Sequence, residues 1–121
     1  MAEQPGRFLV TSGDGICFVE FSDRKILEEI SINEIAEQLN TLAEEHRPIN
    51  LLLNFKNVEH LSSAALGMLI DLQKKITNQS GQLKLSDIHP QIFEVFKITR
   101  LNKVFDIHDS AAAAKASFAQ G

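Results

Sequence analysis

LLLNFKNVEHLSSAALGMLIDLQKKI, residues 51–76, changes its hydrophobic period once, and that change sets the fold class. The run Ile49-Asn50-Leu51-Leu52-Leu53 is short, apolar and bounded by Pro48 on one side and a polar loop on the other, which is the pattern of a central strand. From Ser63 onward Ala65, Leu69, Leu72 and Ile76 recur on one helical face, widened by Leu66 and Ile70. Asn78-Gln79-Ser80-Gly81 then supplies polar and glycine stop signals. The order is strand, loop, helix.

The same unit recurs on both sides. Upstream, Arg7–Thr11 and Ile16–Phe21 are β-prone runs separated by Ser12-Gly13-Asp14-Gly15, whose glycines suit a tight hairpin. After the polar turn Ser22–Lys25, residues Ile32, Ile35, Ala36, Leu39, Leu42 and Ala43 trace a helical face, with Ser31 expected as its cap and Glu34 completing a capping box. Downstream, Gln82–Ser86 reads as a strand, Pro90 starts a helix with Ile92, Val95 and Phe96 inward, and Val104–Ile107 reads as a further strand. Asp109 or Ser110 then caps an alanine-rich final helix. Strands alternating with helices imply an α/β fold: a mixed, mostly parallel sheet with an N-terminal antiparallel hairpin at its edge and about four helices. A single domain over residues 1–121 is expected, with residues 1–6 disordered.

Composition excludes several functions. A net charge of -4 made of scattered acids and bases offers no basic field for nucleic acid. No apolar run approaches membrane-spanning length and none has the make-up of a signal peptide, so a cytoplasmic protein without direct membrane insertion is expected. Cys17 stands alone in an apolar stretch and reads as a small buried hydrophobe. His46, His60, His89 and His108 lack the close spacing of metal ligands, and no phosphate-cradling glycine loop or dinucleotide fingerprint points to a cofactor.

Parallel sheets commonly place binding sites beyond the carboxyl ends of their strands, which draws attention to residues 54–62 and the helix start after them. Ser62 and Ser63 fall where a hydroxyl can cap a helix, and where free N–H groups and the helix dipole stabilise an anion. Ala64, Ala65 and Gly67 permit close backbone approach, with internal packing the expected reason for Gly67. Asn54, Lys56, Asn57, Glu59, His60, Ser62, Ser63, Ala64 and Met68 are the candidate partner surface. A serine-nucleophile enzyme with Ser63 and His60 lacks the glycine-flanked elbow, and Asn54 stands where a receiver domain would need an aspartate.

The stretch ending in Leu61-Ser62-Ser63-Ala64-Ala65-Leu66-Gly67, followed by LKLSDIHPQIFEVFKITRLNKVFDIHDSAAAA, resembles the STAS domain family of anti-sigma-factor antagonists over almost the whole chain. The resemblance implies a non-enzymatic binding module that takes up a kinase-type anti-sigma factor and frees a sigma factor. It also implies that Ser63 is the phosphoacceptor, with Ser62 the alternative, served by an anti-sigma factor serine kinase and a phosphatase. Two positions depart from the family pattern: Asn54 and Ser62 stand where family members often carry aspartate. A non-switching scaffold or a subunit of a membrane-transport complex is the competing expectation.

Overall fold

The computed structural model describes residues 8–13, 15–22, 24–46 and 48–119. In chain order the elements are β1 (Phe8–Gly13), β2 (Ile16–Phe21), β3 (Lys25–Ile26), α1 (Glu29–Glu45), β4 (Asn50–Asn54), β5 (His60–Leu61) and α2 (Ser63–Asn78). They continue with β6 (Gln82–Ser86), α3 (Pro90–Ile98), a 3-10 turn (Leu101–Lys103), β7 (Asp106–His108) and α4 (Ala111–Ala119). The main sheet has the order β1-β2-β4-β6-β7, antiparallel between β1 and β2 and parallel elsewhere; β3 and β5 form a separate parallel pair.

Leu51, Leu52 and Leu53 are all fully buried because alternate residues of β4 serve two different layers. Leu51 and Leu53 join Cys17, Val19, Leu83 and Leu85 under α1, α2 and α3, whose inward residues include Ile35, Leu39, Leu69, Ile76 and Phe96. Leu52 points the other way, where Ala114 and Phe118 of α4 close over it with Ile16 and Phe18. A strand covered on both faces reads as continuous leucine; an edge strand does not, and β1 beyond Phe8 is exposed. One glycine is required by a close approach. At Gly81 a Cβ would overlap the carbonyl oxygen of Ile49, the same oxygen that accepts from the Gln82 N–H at 2.9 Å and aligns β6 beside β4.

The expected fold class is the observed one, and several boundaries shift. The hairpin strand runs on to Gly13, Gly15 takes a φ of 78°, and Arg7, Asp14 and residues 1–6 lie outside the described residues. Ser31 does not cap α1. The cap position is Glu28, without a side-chain bond, and Ser31 is buried inside the first turn. Val95 is 42% exposed rather than inward, because Ile92 and Phe96 alone fill the narrow contact of a nine-residue helix. Val104 belongs to the exposed end of the 3-10 turn, so the last strand begins at Asp106. Ser110 caps α4 through its hydroxyl, 3.1 Å from the Ala113 N–H. Gly67 has open space around it, not a packed neighbour.

Candidate functional site

The loop from β4 to α2 is fastened along its length. Phe55 and Val58 are buried and anchor it from below, and the Phe55 N–H reaches the Ser86 carbonyl at 3.0 Å. Asn54, itself buried, accepts from the Lys56 N–H at 2.9 Å and donates to the Asp87 carboxylate at 2.8 Å. Asn57 donates to the Phe21 carbonyl at 3.0 Å and to Glu20 at 3.2 Å. On the far side the Arg24 carbonyl accepts from the N–H groups of Glu59 and His60, and Ile26 accepts from Ser62. His89 Nε2 meets the Lys56 carbonyl at 2.8 Å, and Gln91 donates to the Glu59 carbonyl at 3.2 Å. Polar groups on three neighbouring segments thus hold one loop in place.

The two serines at its end take different positions. Ser62 is the N-cap of α2: its hydroxyl accepts from the Ala65 N–H at 3.2 Å, and its carbonyl accepts from Leu66. Ser63 is the first helical residue and is exposed. The N–H groups of Ser63 and Ala64 have no intrahelical acceptor, so they and the helix dipole favour negative charge at this point. The structure therefore separates the capping role from the exposed hydroxyl, which the sequence left open between them.

Of the remaining predicted residues, Ala64, His60 and Lys56 are exposed, while Glu59 is half-buried and bonds Arg24 at 3.3 Å. Asn54 and Asn57 support this surface from beneath. Ala64, Gly67 and Met68 line a groove of about 400 Å³ between α1 and α2, floored by Ile32 and Leu39. Sequence reading missed Leu27 and Ile30, which are 47% and 70% exposed. Leu27 follows the residue paired with Leu61, so it lies alongside Ser62. It lies between the polar turn Ser22–Lys25 and the helical face that begins at Ile32, with no pattern of its own to mark it.

A second polar cluster lies at β7. His108 Nε2 is 2.9 Å from Asp106 and 3.3 Å from the Ser117 hydroxyl. Both partners meet one ring nitrogen, whereas a nucleophilic triad needs the acid and the serine on opposite nitrogens. Burial opposes the charge of Asp106, but the ammonium of Lys84 and then the imidazole of His108 outweigh it and hold its carboxyl below the ordinary range. Lys84 is buried and lies 5.1 Å from the centre of the Phe118 ring. Among the described residues no group of His, Cys, Asp and Glu side chains could hold a metal, and no helix is long and apolar enough to cross a membrane.

A five-stranded mixed sheet with three helices on one face, one on the other, and an exposed serine opening the helix after the central strand defines a small α/β domain of the mixed-sheet class. The STAS domain model matches residues 11–114, and the chain belongs to that family. It is 32% identical over 73 residues to the anti-sigma-B factor antagonist of Bacillus subtilis (strain 168), a match spanning 60% of this chain and 65%, just under two thirds, of that protein. Its fold matches an anti-sigma-factor antagonist (STAS) domain protein from Planctomyces limnophilus with a TM-score of 0.85 at 20% identity, covering 93% of this chain and 97% of that one. It also matches the phosphorylated form of the Bacillus cell fate determinant SpoIIAA with a TM-score of 0.68 at 12% identity, covering 91% and 98%.

Proposed function

We propose that this domain is an anti-sigma-factor antagonist: the unmodified chain binds a kinase-type anti-sigma factor and so releases a sigma factor, and phosphate on Ser63 ends that binding. The observation that carries the reading is the exposed Ser63 hydroxyl at the first position of α2, directly after a separate capping serine and at the end of a fastened loop. A kinase can reach it without opening the fold. Around it, Leu27, Ala64 and the α1–α2 groove form an apolar surface for docking. A phosphate there adds about two negative charges with their hydration shell, which opposes docking by desolvation and repulsion. The curated relative named as an antagonist supports the same reading. The kinase, the phosphatase and a cytoplasmic location belong to this proposal.

The first test is intact-mass spectrometry with site localisation on the chain from its native cells, with Ser63→Ala and Ser62→Ala as controls. A single phosphate on Ser63 is expected, lost in Ser63→Ala and kept in Ser62→Ala. The two variants part in stability as well. Losing the cap in Ser62→Ala is expected to lower the unfolding free energy by about 1 kcal/mol, and Ser63→Ala to leave it nearly unchanged. An unmodified chain across growth and stress conditions removes the switch and leaves the constitutive scaffold or transport-complex subunit.

A further inference from the structure

The two edges of the main sheet are unlike. β7 is three residues long and carries Asp106, a charged group of the kind that discourages another strand from adding. β1 is six residues long, Phe8-Leu9-Val10-Thr11-Ser12-Gly13, with neither charge nor proline, and among the described residues it pairs on one side only. Leu9 is 63% exposed and Val10 43%. Beside it runs a groove of about 920 Å³, walled by Thr41 and Leu42 of α1 with Glu37 at its rim.

The hairpin register fixes which groups of β1 are free. Gly13 pairs with Ile16 across a two-residue connection, and the closing pair of such a hairpin exchanges both of its hydrogen bonds. By alternation Leu9, Thr11 and Gly13 direct their backbone groups at β2, while Phe8, Val10 and Ser12 aim theirs away from the sheet. These three positions are symmetric about Val10.

We propose that β1 pairs antiparallel with β1 of a second copy of this chain, about a two-fold axis at Val10. Turned end for end, the strand meets itself with Val10 facing Val10 and Phe8 facing Ser12, a ladder of about six main-chain hydrogen bonds. No side-chain charge of the strand meets its own image, which sets this edge apart on a chain of net charge -4. Leu9 and Val10 of both copies are covered together. A contact built on one six-residue strand from each copy is small for specific association, so the dimer is reversible rather than permanent. It stands apart from the reading of Ser63, and Ser63→Ala leaves it unchanged.

Sedimentation velocity on the full chain from about 1 to 500 µM tests it, together with amide exchange at both ends of that range. A reversible monomer–dimer equilibrium is expected. The Val10 and Ser12 amides slow with concentration, while those of Leu9 and Thr11, already bonded to β2, do not. Val10→Lys sets two ammonium groups face to face and is expected to weaken the dimer at least tenfold, with circular dichroism and thermal unfolding reporting on its fold. If that variant unfolds, Leu9→Lys, at a more exposed position, serves in its place. A chain that stays monomeric to 500 µM overturns the proposal, as does a dimer that neither lysine weakens or one that protects amides elsewhere.

Discussion

Asn54 donates to Asp87 at 2.8 Å and accepts from the Lys56 N–H at 2.9 Å. Aspartate at this position would keep the second bond and lose the first, setting two carboxylates together in a buried place. Asn54→Asp is therefore expected to lower the unfolding free energy by about 2 kcal/mol at neutral pH, through the lost donor and the repulsion. The deficit shrinks in mild acid, where one carboxyl takes a proton, and Asp87→Asn added to it restores part of the loss. Urea titrations of the three proteins at two pH values check this. Asn54, where the resemblance implies aspartate, thus has a partner in Asp87, contributed by the segment just after β6. Sequence showed the serines and the loop as the region of interest. It did not show Leu27 beside Ser62 or Asp87 beside Asn54, because both contacts join segments brought together only by parallel pairing.

At the level of elements, the longest were the most legible. The helical period of α2 and the apolar run of β4 each repeat often enough to outvote local exceptions, whereas β5 has two residues and no period at all. Val95 was misplaced because a short helix buries fewer positions than its apolar pattern offers. The lysine in the middle of β6 gave no sign of burial; it is covered because α4 returns across the sheet and sets Phe118 near it. Asp106 ionises below its ordinary range, so its pairing stabilises the native state above the unfolded value of about 3.9 and fades as pH falls through the folded value. Half of the aspartate side chain is exposed, and water screens the pair to about 1 kcal/mol or less. Lys84→Met is expected to keep most of the stability at pH 7 and to flatten its decline toward pH 3. Asp106→Ala leaves the ammonium buried without its partner and is expected to cost about 2 kcal/mol at pH 7. Denaturation midpoints against pH separate the two.

Across the whole molecule, the loop before Ser63 is tied to β2, β3 and the segment after β6, so modification at its end has no loose part to order or release. Phosphorylation is expected to take the net charge from -4 to about -6 while the unfolding free energy changes by about 1 kcal/mol or less, since the helix start favours an anion. Urea unfolding of the two forms checks this, and a loss of several kcal/mol would mean that the switch acts by melting the domain. The sheet order was only partly readable: alternation of strands and helices implied parallel pairing, but the place of β4 between β2 and β6 depends on contacts far apart in the chain.

The two faces of the sheet are covered by different parts of the chain. The helices over Leu51 and Leu53 all precede β7, but the cover over Leu52 and Phe18 is α4, which follows every strand. A chain cut short before Ala114 and Phe118 keeps every residue of the first core and leaves a leucine and a phenylalanine bare on one face. Translation that halts shortly after β7 would therefore yield a nearly complete sheet with a sticky back, the form of this protein most in need of a chaperone.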